Sequence, residues 1–242
     1  MKSSFIPSKI GLVLLVLCLA ALACNGININ QAGAMQTETK SVELGTAASA
    51  KVQLNMAAGE LNLTGGADQL MQATFSYNVP EWQPSVDYTV SGSQGELMVQ
   101  QGGQDVNVVS NMSNTWDIQL DSQIPLDLEV HSGASAGKLD LSSLDLTSLR
   151  VETGVGNTDV NLDGTWQHDV NAAIKGGVGA LTVTLPDGIG VRVDHGSGLV
   201  SWDTSGLAES GGYYVNQAYG DSPYTLFLKV EAGVGSVTLR TP

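Results

Sequence analysis

Residues 170–188, VNAAIKGGVGALTVTLPDG, carry the pattern that decides the fold. Apolar and polar residues alternate on both sides of a Gly-Val-Gly corner, which is the period of β-strands. Residues 149–164 (LRVETGVGNTDVNLDG) and 226–240 (LFLKVEAGVGSVTLR) repeat the same pattern. The unit predicts two strands joined by a sharp turn, at which glycine avoids the strain that a Cβ would cause.

Weaker copies of this unit are residues 51–65, 126–144 and 191–206. A period near twenty residues predicts a solenoid, in which equivalent strands stack and share one core. The interval between the last two corner glycines is almost twice this period, and it is interpreted as a double repeat that contains an insertion. The glycines assigned to the corners are Gly137, Gly156, Gly179, Gly198 and Gly235, which are 19, 23, 19 and 37 residues apart.

Composition predicts an all-β chain, because the chain has 29 glycines and only 5% aromatic residues, and its segments alternate with a period of two. Residues 40–125 are assigned to an N-terminal β unit and residues 126–242 to C-terminal solenoid repeats. Residues 72–120 depart from the repeat but still alternate, which predicts extended strands or an antiparallel sheet. Residues 24–39 are polar and lack a period, so they are predicted to be a flexible tether.

The first 23 residues have the order of a bacterial signal peptide. Lys2 and Lys9 precede the apolar run 10–23, which is too short for an ordinary membrane-spanning helix. The sequence Ala-Leu-Ala-Cys that ends at Cys24 resembles a lipobox, which implies cleavage before Cys24 and lipid attachment to its thiol. Ordinary secretion with an unmodified Cys24 is the alternative.

Cysteine content and charge narrow the possible partners. Cys18 and Cys24 are the two cysteines, so the chain beyond the signal has no pair for an internal disulfide. Without residues 1–23, eight basic residues stand against 24 acidic ones, a net charge of −16. This charge disfavours nucleic acid as a partner. The lipid would anchor the protein to a membrane, outside the cytoplasm.

The repeated pattern G-V-G-x-x-x-V-x-L resembles the β-solenoid of the toast-rack family and of the related adhesin-like and LiaF-like envelope proteins. It occurs at residues 154–162 and 177–185, and in shorter form at 233–239. The resemblance extends over about residues 126–242. It implies a right-handed parallel β-solenoid in a membrane-attached envelope protein, with no established catalytic residues to carry over.

Aromatic residues outside the repeats are the candidate recognition surface. Tyr213, Tyr214 and Tyr219 lie in the loop-like insertion 206–223, and Trp82 lies between two prolines. Tyrosines on Gly/Ser-rich loops contribute rigid contact area to binding sites. The alternative is that these residues cap the end of the solenoid.

No catalytic or metal-binding arrangement is predicted. His131, His168 and His195 lack the close spacing of zinc ligands. Stacked rungs could align His131 with His195 along one edge. Asn and Asp near the corners, as at 157–159, are explained by hydrogen bonds to their own turns, and calcium stays a lesser alternative. The sequence predicts no cofactor.

Two classes of function fit the sequence. The favoured hypothesis is a non-enzymatic, membrane-anchored envelope protein that acts in scaffolding, adhesion or envelope-stress sensing. Its partner would be an envelope protein, a glycan or, by self-association, another copy of the chain. The alternative is a glycan-binding or glycan-active surface protein, for which paired carboxylates across a groove would be the signature.

Overall fold

The computed structural model describes residues 32–103, 110–196 and 198–242. The predicted signal peptide 1–23 and Cys24 lie outside these described residues. Within the described ranges the chain is all-β, with fifteen strands in one hydrogen-bonded network and one short 3₁₀ turn. The all-β prediction is confirmed.

The strands differ widely in length, and the longest have an irregular position near their centre. In chain order they are β1 (Gln36–Val42), β2 (Ser49–Ala67), β3 (Met71–Tyr77), β4 (Ser85–Ser91), β5 (Gln94–Gln100), β6 (Asn114–Asp121), β7 (Leu126–Asp140), β8 (Leu146–Val155), β9 (Thr158–Asn161), β10 (Val170–Thr184), β11 (Gly190–His195), β12 (Leu199–Ser205), β13 (Ala208–Ser210), β14 (Tyr213–Val215) and β15 (Thr225–Arg240).

The two halves of each long strand belong to different parts of the sheet. In β2, residues 49–55 pair with β5, whereas residues 60–67 pair with β6. We call the part before the corner the first wing and the part after it the second wing. The inward-facing aliphatic side chains of both wings form one hydrophobic cluster between them, from Ala50 to Leu239. Burial of this shared core is the main stabilising contribution to the fold.

In the three rungs that share the Gly-Val-Gly sequence, glycine occupies the corner that separates the wings. Gly156, Gly179 and Gly235 are aligned across the sheet and have φ values of 138°, 144° and 137°. A Cβ on Gly179 would lie 1.9 Å from the carbonyl oxygen of Gly156 on the neighbouring strand. The glycines therefore allow both the turn and the close stacking of the strands. These three corner assignments agree with the structure.

Two of the assigned corner glycines are displaced from this line. Gly137 pairs with Thr158 and is buried in the second wing, and the residue of β7 that lies level with Gly59 and Gly156 is Ser135. Gly198 lies one position before Leu199, which pairs with Val234 rather than with Gly235. Both glycines lie two residues away from the row that Gly156, Gly179 and Gly235 form. A shift of two residues keeps a side chain on the same face of the sheet, so an alternating sequence pattern does not reveal the shift.

The strands stack in parallel, but not in chain order. Asp127 of β7 pairs with Ser148 of β8, 21 residues later, and Ser148 pairs with Asn171 of β10, 23 residues later. The next strand in space is β15, which lies between β10 on one side and β11 and β12 on the other. Periodicity alone does not determine this order, because a parallel strand pairs equally well with a rung from a distant part of the chain.

The N-terminal part of the chain widens both wings. Strands β5 and β4 extend the first wing, and β6, β3 and β1 extend the second wing. The boundary assigned between residues 125 and 126 falls inside one continuous sheet, since β2 pairs with β7 along most of its length. The tether prediction is wrong for its last residues, because β1 begins at Gln36 and pairs with β3.

Candidate binding surfaces

The last rung ends in a cluster of aromatic side chains. Tyr214 of β14 stacks on His195, with ring centroids 4.8 Å apart, and Trp202 of β12 lies 5.4 Å from the same imidazole. His195 pairs with Val230 of β15, so it occupies an inward position that aliphatic residues fill in other rungs. Tyr214 and Trp202 pack against the hydrophobic core. This cluster therefore covers the exposed end of the core.

The other predicted recognition residues lie apart from one another. Tyr213 projects to the opposite side of its strand from Tyr214, and the guanidinium carbon of Arg192 lies 3.7 Å from the centre of its ring. Tyr219 is 39% exposed in the turn that precedes β15. Trp82 is only 6% exposed, so its side chain offers no recognition surface. The structure does not bring the four aromatic residues into one site.

The three histidines have separate environments. His131 lies on the outer side of the first wing, His195 faces inward, and His168 Nε2 lies 2.8 Å from Asp145 Oδ1. The alignment of His131 with His195 that stacking suggested is wrong, because they occupy opposite sides of the sheet. Among the residues that the structure describes, no three His, Cys, Asp or Glu side chains are grouped as metal ligands.

Asn and Asp side chains near the turns hydrogen-bond to the backbone. Asp140 Oδ1 accepts a hydrogen bond from the Ser142 amide at 3.3 Å, and Asn161 Oδ1 accepts one from the Asp163 amide at 3.1 Å. These bonds have the spacing of Asx turns. They explain the recurrence of Asn and Asp at these positions without a bound ion.

Charged side chains are concentrated on the outer side of the first wing. Alternation places every second residue of β2, β7, β8, β10, β15 and β11 on this side, and register places those residues in rows across the strands. We call this surface the charged face. Its charged members are Lys51, Asp127, Glu129, His131, Arg150, Glu152, Lys175, Arg192, Asp194, Lys229 and Glu231.

The charges on this face are arranged as a chain of ion pairs across neighbouring strands. Lys51 Nζ donates a hydrogen bond to Glu129 Oε1 at 2.9 Å. His131 lies between two carboxylates, 3.8 Å from Glu129 and 3.2 Å from Glu152. Lys175 Nζ lies 3.8 Å from Glu152 and 3.7 Å from Glu231. Basic and acidic side chains therefore alternate across the strands.

The two carboxylates beside His131 are held in their ionised form. The hydrogen bond from Lys51 lowers the pKa of Glu129 against an opposing effect of desolvation. Desolvation also acts to raise the pKa of Glu152, but the charge and hydrogen bond of Arg150 outweigh it, so that the pKa is lowered. A glycosidase requires one carboxyl group with a raised pKa as its general acid. This pair of carboxylates lacks that property.

Two shallow grooves lie on the charged face. The first groove has a volume of about 640 Å³ and includes His131, Glu152 and Lys175, together with Gly154 and Gly177. The second groove has a volume of about 480 Å³ and includes Phe227, Asn171 and Arg192. Phe227 is an outward-facing aromatic residue with polar neighbours. Phe227 was not among the predicted recognition residues, although the alternation along β15 assigns its side chain to the outer side of the sheet.

The fold and these surfaces define an all-β repeat protein whose stacked strands turn at glycine corners. Residues 31–184 match the protein family described as "N-terminal domain of toast_rack, DUF2154". This match covers more than half of the chain, so the chain belongs to the toast-rack family. The resemblance drawn from the Gly-Val-Gly pattern is confirmed.

Known structures include a close relative. A putative cell adhesion protein from Clostridium sporogenes is 34% identical, and the match covers 86% of this chain and 100% of that chain with a TM-score of 0.83. A putative adhesin from Bacteroides fragilis is 12% identical over 86% of this chain and 97% of that chain, with a TM-score of 0.33. No curated protein matches the chain.

Among the residues that the structure describes, no helix has the length and apolar character that crossing a bilayer would require.

Proposed function

We propose that this chain is a non-enzymatic adhesion module, held on the outer side of the bacterial cell membrane by a lipid on Cys24. The charged face is the observation that carries the proposal, because paired side chains on neighbouring strands form a rigid polar surface with two grooves. A preorganised surface loses little conformational entropy on binding. Membership of the toast-rack family and the likeness to the clostridial protein support the same function.

The anchor is part of the proposal. Residues 1–23 direct export and are removed, and residues 24–35 connect the lipid on Cys24 to strand β1. The lipid chains hold the protein at the membrane, since two or more acyl chains give stable attachment. The right-handed sense of the winding belongs to the proposal as well, and it follows from the family resemblance.

Fatty-acid labelling tests the anchor. Cells that express the chain are fed an alkyne fatty acid, and the labelled protein is detected after coupling to a fluorophore. The expected label is present in the parent and in the control variant Cys18→Ser, and it is absent in Cys24→Ser. An unlabelled parent that is released into the medium would show ordinary secretion instead.

Binding of coated beads to bacteria tests the adhesion function. Beads that carry the purified protein are mixed with cells that lack it, and bound beads are counted. The double variant Lys175→Glu and Lys229→Glu reverses two charges on the charged face and is expected to reduce binding at least tenfold. The control Lys40→Glu and Lys138→Glu makes the same change in charge on the second wing and should bind like the parent. Equal loss in both double variants would contradict a role for the charged face.

Glycan binding is the second candidate function, and the second groove favours it. Phe227 is half-buried there, level with Asn171 and Arg192 on the two neighbouring strands, and Ser148 and Asp127 line the same groove further along. An aromatic ring next to hydrogen-bonding groups can pack against the apolar side of a sugar while polar groups bind its hydroxyls. The lowered pKa values of Glu129 and Glu152 favour binding of a glycan over its hydrolysis.

Titration with oligosaccharides from bacterial envelopes tests this candidate, with binding followed by NMR shifts of the protein. Phe227→Ala is expected to weaken binding at least tenfold, whereas Val90→Ala, on the exposed strand β4, should leave it unchanged. Binding that is unaffected by Phe227→Ala would remove the second groove from consideration.

A further inference from the structure

The corner of the sheet carries a row of exposed aliphatic side chains. Val155 is 58% exposed, Val178 50%, Val234 48% and Leu199 82%. Register places these residues side by side, because Val178 pairs with both Val155 and Val234, and Leu199 pairs with Val234. Ala134 and Ala58 continue the row on the other side of Val155. We call these six residues the apolar ridge.

Glycines leave both sides of the apolar ridge bare. Gly177 precedes Val178 and Gly179 follows it, and the same arrangement surrounds Val155 and Val234. The first groove runs along one side of the ridge. The aliphatic side chains therefore project from a strip of backbone, with a trough beside them that could receive side chains from another surface. An exposed apolar row of this kind marks an interaction site.

The order of side chains along the ridge identifies a second copy of the chain as the partner. The order in space is Leu199, Val234, Val178, Val155, Ala134 and Ala58, so side-chain size decreases from one end to the other. Two ridges that meet in antiparallel orientation place the largest residue of each against the smallest residue of the other. Such a two-fold contact is self-complementary, as isologous dimers require.

The charges beside the ridge fit the same arrangement. The outward row next to the ridge on the first wing contains His131, Glu152, Lys175 and Glu231 in consecutive strands. A two-fold axis that passes between Val155 and Val178 brings Lys175 of one copy opposite Glu152 of the other. It also brings Glu231 opposite His131. A parallel arrangement of the ridges would not produce these two pairings of unlike groups within that row.

On the second wing, the antiparallel contact brings no like charges together. The row next to the ridge on that side contains Glu60, Ala136, Asn157, Ala180, Ser236 and Ser201. In the antiparallel dimer, Glu60 faces Ser201 of the other copy, and the remaining residues are small or neutral. The strongly acidic chain can therefore approach a second copy at the ridge without placing like charges together.

We propose that two copies of the chain associate through their apolar ridges in antiparallel orientation, with Val178 of each copy against Val155 of the other. The dimer names a partner for the proposed function. It rests on that function because chains anchored to the same membrane meet at a raised local concentration. The contact itself depends only on the ridge. A narrow ridge buries less area than a standard interface of about 800 Å² per partner, so the affinity is expected to be modest.

Disulfide trapping in expressing bacteria tests the proposal on the full chain. Chains with Ala134→Cys and with Val234→Cys carry different epitope tags and are co-expressed, oxidised and separated on a non-reducing gel. In the antiparallel dimer these two positions meet, so a disulfide-linked heterodimer is expected. Within one copy they are three strand spacings apart, about 14 Å, which is beyond the reach of a disulfide.

Several controls make the result specific. The parent chain shows any cross-link that Cys18 or Cys24 forms. Val234→Cys expressed alone should give little dimer, because its two copies lie about 14 Å apart along the ridge. Val90→Cys with Val234→Cys should also give none, since Val90 is exposed but distant from the ridge. Equal cross-linking of Val234→Cys alone, or cross-linking in none of the combinations, would overturn the proposal.

Sedimentation of the purified chain gives a second, independent measurement. Val155→Gln with Val178→Gln should weaken self-association at least tenfold while the midpoint of thermal unfolding stays unchanged, because both residues are already exposed. Val90→Gln with Met98→Gln is the matched control. If the chain stays monomeric but the ridge variant loses binding to phosphatidylcholine vesicles, the ridge is a membrane contact and the proposed dimer is wrong. Anchoring and bead adhesion would still stand in that case.

Discussion

His168 Nε2 lies 2.8 Å from Asp145 Oδ1, which ties the segment before β10 to the segment before β8. The hydrogen bond to Asp145 raises the pKa of His168, and the backbone carbonyl of Asp169 adds to this effect, while partial desolvation opposes it. The two partners come from successive rungs. Protonation of one side chain is therefore coupled to the stacking of the rungs.

We expect the stability of the domain to fall as the pH rises above about 6.5. A raised pKa means that the folded state binds the proton more tightly, so the stabilisation is complete below the unfolded pKa near 6.5 and is lost as pH rises. The pair is partly exposed and contributes up to about 1 kcal/mol, a change in Tm on the order of 1–3 °C. Thermal unfolding across this pH range measures it. His168→Gln should remove this part of the pH dependence, whereas His131→Gln should keep it.

Substitution of a corner glycine is expected to lower the stability of the fold strongly. Gly179→Ala adds a Cβ that would meet the Gly156 carbonyl oxygen at 1.9 Å, at a φ of 144°. Backbone strain costs about 1–3 kcal/mol and overpacking costs a similar amount of about 1–3 kcal/mol, so the free energy of unfolding should fall by about 2–6 kcal/mol. Denaturant unfolding measures the change. Gly188→Ala is the control, because no atom lies within 4 Å of its added Cβ; equal loss in the two variants would refute the steric argument.

The repeat itself could be predicted from the sequence because it is local. Alternation with a period of two specifies which residues face the core, and Gly-Val-Gly marks a corner at which a Cβ is excluded. Gly156, Gly179 and Gly235 were located in this way. The exposed Val155, Val178 and Val234 could have been found by the same pattern, since a valine between two corner glycines has no inward position available.

The order of the rungs could not be predicted, because it is a non-local property. Every rung presents the same inward aliphatic residues, so β10 can accept β15 as readily as β11, and periodicity does not distinguish them. The internal structure of the aromatic insertion was not predicted either. Its two-residue turn at Gly211 and Gly212, with φ values of 61° and 85°, forms a hairpin of β13 and β14 that places Tyr213 and Tyr214 on opposite sides.

Asn216 is a buried polar side chain that holds the end of this insertion against β11. Its Oδ1 accepts a hydrogen bond from the Val191 amide at 2.9 Å, and its Nδ2 donates to the carbonyl oxygens of Ile189 at 2.8 Å and Pro186 at 3.1 Å. Asn216→Ala leaves these buried groups without partners, at about 1–3 kcal/mol for each unsatisfied group. Asn216→Asp should destabilise at least as much, because a carboxylate would face two carbonyl oxygens.

Denaturant unfolding of both variants checks this prediction. Asn171→Ala is the matched control, since Asn171 is exposed on the charged face, and its free energy of unfolding should change by less than about 0.5 kcal/mol. A parent-like Asn216→Asp would show that the side chain does not donate the two hydrogen bonds.

Tyr214 is predicted to act as a cap for the hydrophobic core rather than as a binding residue. Tyr214→Ala removes the ring that stacks on His195 and exposes the end of the core beside Trp202, so we expect a loss of about 1–3 kcal/mol, less than for a fully buried aromatic residue. Tyr214→Phe keeps the ring and should be close to the parent. Tyr219→Ala should change stability by less than about 0.5 kcal/mol, because its side chain is exposed. Hydrogen exchange distinguishes the two roles: loss of the cap should increase exchange in β11 and β14 first. If Tyr214→Ala instead leaves stability and exchange unchanged but abolishes bead binding, Tyr214 is a recognition residue.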